Sequence, residues 1–555
     1  MVGYWLLDST PMMQATLETE REAEVRATRV PPAVERHRLE PAMIAALSYV
    51  AITLILAIAA YLACERHFVY PVDDTYIGMA MAKNLALHGV WGVSPNGFSS
   101  SSSSILYTLL LAGAYRITGV HECVPFALSW MFGLGTIFVA GRILKDFSDR
   151  RWQTAVLIVM VVFTPLFVVG MLGMEHSLHL LLTLLFLEYF LRQEPGERLR
   201  RLAAITALMV ATRYEGLFLA GPAVCVLAGQ RRWRAAATTA TAAALPVFAY
   251  ALFSLAHGGY WLPNSVALKG VGGTVASAGF VHEALARLAM NYHEGLHLLL
   301  LLAAEAAVLI AMARQSSHRA YVPLALVFGA GCVHFCTARV GWVFRYEDYL
   351  IGAGVVLLAC TLPALRWMAN RPGIVAARIL VVSAGVLLLV RSVFPLVLLP
   401  SYSRNIYWQQ WQMAQLVRSE FPNSVIAAND IGAIEYFSDA RCVDLTGLAN
   451  REVFRARRAG HYTTEFLREE TEAQQVKVAM VYDAWFQPGN RDSLGPSSIP
   501  AGWVRVARWS TPETLQLGGR TVSFYAMDDE SAGVLRDALE QYDSRLPKAV
   551  VVSEP

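Results

Sequence analysis

Two adjacent carboxylates, Asp73 and Asp74, are the residues whose types and spacing best fit acid–base chemistry. They open a helical pattern in the segment YPVDDTYIGMAMAKNLALHG. Negative charge at a helix start complements the helix dipole, so a purely structural capping pair is one interpretation. In the other, one carboxylate accepts a proton from a hydroxyl group, while its neighbour orients the hydroxyl, binds a cation or raises the pKa of its partner.

Further ionisable residues lie in short polar segments between apolar ones. Glu175 and His176 occur in GMEH, and Arg213 and Glu215 occur in TRYEG. We expect Arg213 and Glu215 to pair with each other in a structural role. Glu175 and His176 could approach the acidic pair through a metal ion, or could only terminate helices.

The segment HEGLH contains His293, Glu294 and His297 at the entrance of an apolar helix. This H-E-x-x-H spacing places two zinc ligands on one helical face beside a glutamate base in metalloproteases. No third ligand is evident at a suitable spacing. Polar residues at the point where a loop meets the membrane are therefore the preferred interpretation, and an intramembrane metalloprotease is an alternative.

The composition indicates that the elements positioning these residues lie in a membrane. Of 555 residues, 55% are hydrophobic and 16% are charged, and the mean hydropathy is +0.42. Such a composition disfavours a water-soluble enzyme. The net charge of +3 is nearly balanced and the basic residues occur in short clusters, which argues against nucleic acid as a partner. The seven cysteines show no disulfide framework.

Apolar segments predict eleven membrane spans, since a span takes roughly 20 residues. They lie near 41-63, 122-144, 152-172, 177-191, 202-213, 217-230, 235-256, 295-313, 320-337, 349-365 and 374-396. Arginine-rich segments occupy every second connection, which by the positive-inside rule places the N-terminus in the cytoplasm and the C-terminus outside. We therefore expect a multi-pass protein of the plasma (inner) membrane with its unusual polar segments on the outer face.

Three regions are expected along the chain. Residues 1-40 form a cytoplasmic leader, 41-399 a transmembrane domain and 400-555 an extracytoplasmic domain. Helical stretches alternate in the last region with strand-like runs, which is typical of a small α/β domain. These runs lie at 424-428, 441-445, 477-482, 503-508 and 521-526.

The first outer connection, 64-121, is too long for a simple turn. Six serines, Ser99 to Ser104, precede an apolar helix in it that looks too interrupted to span the membrane. We expect this helix to lie along the membrane interface. The serines are most simply a flexible linker and a helix cap.

A first outer loop with an acidic pair and two interfacial helices resembles the GT-C class of membrane glycosyltransferases. DDTYI in particular is similar to the subgroup that contains the mycobacterial terminal arabinofuranosyltransferase. The segments GMEH, TRYEG, WLPNSVALKG, FRYEDY and NDIGAIEYF follow in matching order, so the resemblance covers nearly the whole chain. It implies a polytopic α-helical membrane protein of GT-C-like fold, with about eleven spans and a C-terminal extracytoplasmic α/β domain, acting in the cell envelope.

The resemblance implies transfer of a sugar from a polyprenyl-phosphate donor to a hydroxyl group of a glycan, lipid or protein acceptor on the outer face, in contact with membrane lipid. The first acidic residue, Asp73, is then the general base, and Asp74 assists it. A lipid phosphate also needs cations at the membrane interface. Lys269 and Arg345, the latter beside Tyr346, lie in outer loops as candidates for phosphate binding; ordinary snorkelling is the alternative for both cations.

Supporting positions complete the expected site. They are Glu175, His176, Arg213, Glu215 and Asn264. A divalent metal ion is left open as a cofactor, with Asp74, Glu175 and His176 as its candidate ligands, and no other cofactor is expected. A transporter is a further alternative function, although no internal repeat of the kind found in inverted-repeat transporters stands out.

Overall fold

The computed structural model describes residues 39–192, 198–269, 280–313, 318–365, 372–486, 498–512 and 518–554. The expected leader, 1-40, lies almost entirely outside these described residues. Helices make up the described chain as far as residue 420, and a six-stranded sheet with further helices follows. A helical domain followed by an α/β domain is the broad architecture that the sequence predicts.

The helices before the sheet include several with the length and composition of membrane spans. They are α1 (Pro41–Ala63), α2 (Asp73–His88), α3 (Ile105–Thr118), α4 (Cys123–Leu144), α5 (Arg150–Phe163), α6 (Leu166–Met171), α7 (His176–Arg192), α8 (Arg198–Thr212), α9 (Gly216–Gly229), α10 (Trp233–Ala256), α11 (Asn264–Lys269), α12 (Phe280–Glu294), α13 (Leu296–Met312), α14 (Tyr321–Thr337), α15 (Asp348–Leu365), α16 (Pro372–Ile406) and α17 (Gln412–Glu420). Within the described ranges, four helices are long and apolar enough to cross a membrane, or five if a bent pair counts as one span. The expected total of eleven spans stays a prediction.

One long helix joins the two domains. Residues Gly373–Glu420 run through α16, a π-helical turn at Tyr407–Trp411 and α17 as a helix of 48 residues. Pro395 and Pro400 lie inside it. Neighbouring helices can satisfy the backbone groups that a proline leaves unpaired, so the helix continues past both. The domain boundary expected between 399 and 400 therefore falls within a continuous helix.

The C-terminal domain contains a mixed sheet of six strands in the order β2-β1-β3-β5-β4-β6. The strands are β1 (Val425–Ala428), β2 (Arg441–Asp444), β3 (Val478–Val481), β4 (Val504–Ser510), β5 (Thr521–Ala526) and β6 (Val551–Ser553). β1 pairs in parallel with β2 and β3, and the remaining pairs are antiparallel. The five strand-like runs of the sequence are thus confirmed. The helices of this domain are α18 (Gly432–Phe437), α19 (Arg451–Ala459), α20 (Thr464–Ala473) and α21 (Asp529–Asp543).

The parallel part of the sheet positions one loop for contact with the helical domain. β1 ends at Ala428 and leads through Asn429 and Asp430 into α18. Asn429 donates from Nδ2 to the carbonyl of Tyr482, 3.2 Å away, and accepts the Tyr482 amide at 3.1 Å, which ties this loop to the end of β3. α18 packs directly on α2, so the C-terminal domain contacts the helix that carries the acidic pair.

Candidate active site

The acidic pair lies in the first turn of α2, as the sequence predicts. Val72 precedes the helix in an extended conformation, and Asp73 and Asp74 are its first two residues. Their negative charges lie where the free amide groups of a helix start favour them. The two side chains then take different surroundings, because consecutive helical residues point in different directions.

Asp73 is held by the C-terminal domain. Its Oδ2 accepts the Gly432 amide at 2.6 Å and its Oδ1 accepts the Ala433 amide at 2.8 Å. The side chain is buried, with 7% of its surface exposed. The contact needs a glycine at 432, because a Cβ there would lie 2.3 Å from the Asp73 carbonyl oxygen. Two segments 359 residues apart in the chain are thereby joined.

A second carboxyl group, that of Asp430, shares the environment of Asp73. Burial raises the pKa of Asp73, and hydrogen bonds from Asp430 and the two amides oppose that rise. The pKa of Asp430 is raised well above its usual range by burial and by the Asp73 charge. Asp430 therefore stays protonated and donates a hydrogen bond to Asp73, because ionising both of two neighbouring carboxyl groups is unfavourable. Gln410 also donates to Asp430, at 2.8 Å.

Replacing Gly432 with alanine is expected to loosen this contact. The new Cβ must displace α18 or α2, so the amide bonds to Asp73 lengthen or break, at a cost of about 2 kcal/mol. Hydrogen–deuterium exchange in residues 429–437 should accelerate. Gly533→Ala is the control, since that helical glycine has open space around it. Unchanged exchange in Gly432→Ala would show that the contact does not hold the domains together.

Asp74 lies on an open cavity and is paired with a buried arginine. Its carboxylate forms an ion pair with Arg345, whose side chain is 1% exposed, whereas Asp74 is 27% exposed. Arg345 also donates from Nη1 to the Met174 sulfur at 2.8 Å, and its guanidinium lies 5.1 Å from the ring centre of Tyr346. The Nε of Arg345 is buried and has no hydrogen-bond partner among the described residues. One donor of this arginine thus has no hydrogen bond among the described residues.

A left-handed turn delivers Arg345 to Asp74. Gly341, Trp342, Val343 and Phe344 all have positive φ, with values of 87°, 40°, 55° and 64°. For residues with a Cβ this conformation costs roughly 1–2 kcal/mol each, so surrounding contacts must stabilise it. Val343 is buried in a small apolar cluster with Val72 and Leu172. The strained turn is therefore packed against the residues that flank the acidic pair and GMEH.

Glu347 fixes the other end of the same loop. It is fully buried, forms an ion pair with Arg391 of α16 and shares a hydrogen bond of 2.9 Å with His297 of α13. Its Oε2 also accepts the Gly341 amide at 2.9 Å, which closes the turn. Because both partners are on helices of the bundle, Glu347 ties the loop to two separate elements.

The GMEH and TRYEG segments meet through Arg213. Its Nη1 donates to Glu175 at 2.7 Å and its Nη2 to Glu215 at 2.6 Å. The expected pairing of Arg213 with Glu215 is confirmed, and Glu175 joins it. Glu175 also lines the cavity beside Asp74. His176 is fully buried, with its Nε2 3.4 Å from Nη1 of Arg213.

The candidate metal ligands do not fit a metal ion in this arrangement. The carboxylates of Asp74 and Glu175 are each paired with an arginine, and a dication between them would face both guanidinium groups. The nearer nitrogen of His176 also faces Arg213. Within the described ranges, no group of three or more His, Cys, Asp and Glu side chains is placed to hold a metal. No step of the chemistry is therefore assigned to a metal.

The serine run is an ordered wall, so the expected flexible linker is wrong. Ser99, Ser100, Ser101 and Ser104 are buried. Their hydroxyls are bonded within the protein: Ser100 bonds the Tyr250 hydroxyl at 2.8 Å, and Ser104 accepts the Tyr107 amide at 3.3 Å as the cap of α3. The expected cap is thus confirmed. A hydroxyl on nearly every residue satisfies the buried backbone of this segment without regular structure.

Of the two residues expected from the WLPNSVALKG loop, Asn264 reaches the site region. Its amide donates to the Ser100 carbonyl at 2.8 Å, and its Nδ2 donates to the Leu448 carbonyl at 3.2 Å. It therefore joins the serine wall to the C-terminal domain. Lys269 ends α11, and its side chain lies outside the described part of the structure.

The protease interpretation of HEGLH is wrong because its residues do not share a helix. α12 ends at Glu294 and α13 begins at Leu296, with a bend of 93° between them. His293 and Glu294 are exposed, whereas His297 is buried against Glu347. Two histidines at this spacing bind one zinc ion only on a continuous helical face. His297 instead supports the loop that carries Arg345.

Sequence reasoning missed Asp430, Gly432, Ser265 and Glu347 as parts of the site. Asp430 and Gly432 lie in NDIGAIEYF and Ser265 lies in WLPNSVALKG, segments noted for their order but given no role. A glycine two residues after a polar pair at a strand end was the available signal for close approach. Glu347 in FRYEDY carried no signal of its own, because its partners are distant in sequence.

Comparison with known sequences gives one partial match. Residues 404–525 match a family described as a domain of unknown function (DUF8728). The match runs from the end of the long interdomain helix to β5 and leaves the acidic pair outside. No curated protein sequence matches the chain.

Among solved structures, the chain is similar at low identity to ArnT and to archaeal oligosaccharyltransferases. ArnT from Cupriavidus metallidurans bound to undecaprenyl phosphate is 13% identical over 88% of this chain and 98% of that one, with a TM-score of 0.49. The oligosaccharyltransferase from Archaeoglobus fulgidus in complex with Zn and sulfate is 14% identical over 90% and 74%, with a TM-score of 0.48. AglB from the same organism, in complex with an inhibitory peptide and a dolichol-phosphate, is 11% identical over 91% and 75%, with a TM-score of 0.46. Similarity at this level does not establish a shared activity.

Proposed function

We propose that this protein is a membrane glycosyltransferase of the GT-C class that transfers a sugar from a polyprenyl-phosphate donor to an acceptor hydroxyl on the outer face of the plasma membrane. The arabinofuranosyltransferase subgroup, with a glycan, lipid or protein of the cell envelope as acceptor, is the finer form of the proposal. It rests on the motif resemblance for its class and on the geometry of one cavity for its residues.

The observation that carries the proposal is the convergence of six sequence segments on that cavity. Asp74 of DDTYI, Glu175 of GMEH and Ser265 of WLPNSVALKG line it. The other three segments hold these residues: Arg345 of FRYEDY pairs with Asp74, and Arg213 of TRYEG pairs with Glu175. NDIGAIEYF binds the neighbouring Asp73 through the Gly432 amide. When segments that match a family in order also meet around one pocket, the pocket is the best candidate for the active site.

In the proposed reaction, Asp74 is the general base. The acceptor oxygen forms a bond to the anomeric carbon of the donor, on the face opposite the phosphate. The bond from that carbon to the phosphate oxygen breaks, and its electron pair stays on the leaving phosphate. The hydroxyl proton passes to Asp74, which lies on the cavity, whereas both oxygens of Asp73 are engaged by amides. The expectation that Asp73 is the base stays a prediction to be tested beside this one.

Arg345 couples the proton transfer to the leaving group. Before the reaction its charge is balanced by Asp74. When Asp74 takes the proton its negative charge disappears, and the guanidinium can stabilise the charge that grows on the lipid phosphate. The Nε of Arg345 has no hydrogen-bond partner among the described residues, and in this proposal it donates to that phosphate. Lys269 and Tyr346 remain predicted phosphate contacts.

Transfer from a defined donor tests the proposal. Purified protein in lipid vesicles should convert a short-chain polyprenyl-phosphate sugar into polyprenyl phosphate and a glycosylated acceptor, and lipids that co-purify with the protein should include such a donor. The donor panel should include pentose and hexose lipids, because the sugar is open. Movement of a sugar lipid across the vesicle membrane without release of polyprenyl phosphate would favour a transporter instead.

A further inference from the structure

The cavity beside Asp74 has a wall of hydroxyl groups for which the proposed reaction gives no role. Ser101 to Ser104 form one side, and Ser265 faces the same cavity from the segment that begins α11. The carboxylates of Asp74 and Glu175 line it as well. Hydroxyl groups donate and accept, and carboxylates accept, so the wall offers the mixed pattern that the hydroxyl groups of a sugar ring require.

Ser265 is the member of the wall whose hydrogen bonding is incomplete. Its side chain is 6% exposed, and its hydroxyl oxygen has no partner among the described residues. Buried polar groups are almost always paired, so an unpaired hydroxyl on a cavity points to a ligand or water that completes it. Because Ser265 lines the cavity, a bound substrate could supply the missing hydrogen bond.

Most of the neighbouring serines use their hydroxyls within the protein. Ser101 donates to the Leu448 carbonyl at 3.1 Å, and Ser102 donates to the Ser104 carbonyl at 3.1 Å. No bond of this kind is found for the Ser103 hydroxyl within the described ranges. Ser103 and Ser265 are thus the two serines of the wall that remain available to a ligand.

The wall is fixed before any ligand arrives. The Asn264 amide bonds the Ser100 carbonyl at 2.8 Å, which joins the serine run to the segment carrying Ser265. Leu448 of the C-terminal domain accepts from both sides, from Ser101 at 3.1 Å and from Asn264 at 3.2 Å. Because these bonds hold the backbone that carries the serines, little conformational freedom is lost on binding, which favours selective recognition.

We propose that Ser265 and Ser103 bind the hydroxyl groups of a sugar ring and determine which sugar the site accepts. The inference rests on the proposed function and identifies the residues that recognise the sugar. The ring belongs to the donor or to the acceptor, since both present the same chemistry. It is bound between the serine wall and the Asp74 and Glu175 carboxylates.

Binding of two lipids to the full-length S103A/S265A variant tests this assignment. The probes are a polyprenyl-phosphate sugar and the same polyprenyl phosphate without sugar, measured by native mass spectrometry. If the ring is that of the donor, affinity for the sugar lipid should fall about tenfold, as expected for two neutral hydrogen bonds, while affinity for the free lipid is unchanged. If it is that of the acceptor, both affinities stay constant and the acceptor KM rises about tenfold.

The control is Ser254→Ala. Ser254 is a fully buried serine of α10 whose hydroxyl is also unpartnered among the described residues, but it does not line the cavity. It should leave lipid binding and both KM values unchanged. Wild-type values for all of these quantities in S103A/S265A would overturn the serine assignment while leaving sugar transfer standing. If the wild-type protein transfers no sugar, the proposed function fails, and equal binding of both lipids by wild type would then overturn the serine assignment as well.

Discussion

Asp74→Asn is expected to reduce sugar transfer by about two to four orders of magnitude, the usual contribution of a positioned general base. Asparagine keeps the size of the side chain but cannot take the proton from the hydroxyl group of the acceptor substrate. It also leaves the charge of the buried Arg345 unbalanced before the reaction. The Arg345 charge is then no longer released by the proton transfer at the moment when charge grows on the leaving phosphate. The measurement is the initial rate of polyprenyl phosphate release in vesicles at saturating donor and acceptor.

Asp73→Asn is the matched comparison, because it alters the adjacent carboxyl group in the same helical turn. Asparagine at 73 can still accept one of the two amide bonds from Gly432 and Ala433. A moderate loss of rate is therefore expected, together with faster hydrogen exchange in 429–437. The reverse ranking, with transfer abolished in Asp73→Asn and retained in Asp74→Asn, would assign the base to Asp73 as the family resemblance implies.

Local patterns predicted the C-terminal sheet well. Runs such as SVIAA and TVSFYA became β1 and β5 within a residue, because short apolar runs bounded by polar residues describe buried strands. α18 was not predicted as a helix, since six residues are too few to show helical periodicity. It nevertheless supplies the amides that hold Asp73, so a short element with no sequence signal shapes the site.

Contacts between distant segments were beyond the sequence. The Asp73 pair with Gly432 spans 359 residues, and the Arg345 pair with Asp74 spans 271. Nothing in the local spacing of either residue specifies its partner, although the ordered set of motifs correctly selected the segments that meet. The serine run failed in another way, because a composition typical of linkers also suits a buried irregular segment that must satisfy its own backbone.

The HEGLH error has a specific physical cause. A spacing argument for two histidines assumes a continuous helix, and Gly295 lies at a break where α12 and α13 diverge by 93°. A Cβ at this glycine would lie 2.7 Å from the Asn291 carbonyl oxygen, so the close packing of the bend requires glycine. The bend turns His297 inward to Glu347, and the residue that suggested zinc instead belongs to an ion-pair network.

That network gives the second large effect. Glu347→Gln is expected to destabilise the helical domain by about 3–5 kcal/mol, because Arg391 would keep a buried charge without its counter-ion. Glutamine has one acceptor oxygen where glutamate has two, so it cannot accept from both the Gly341 amide and Arg391, and the left-handed turn at 341–344 is held less firmly. Arg345 should then no longer be held against Asp74, so transfer should fall along with thermal stability in detergent.

Glu305→Gln is the control, because it makes the same change elsewhere in the helical domain. Glu305 is fully buried in α13, and neither of its carboxylate oxygens has a hydrogen-bond partner among the described residues. An isolated carboxyl away from water is uncharged, so the neutral amide should leave stability and transfer near wild type. Adding Arg391→Met to Glu347→Gln removes the unpaired charge and should recover much of the stability. Full activity in Glu347→Gln would mean that the strained turn holds Arg345 without this network.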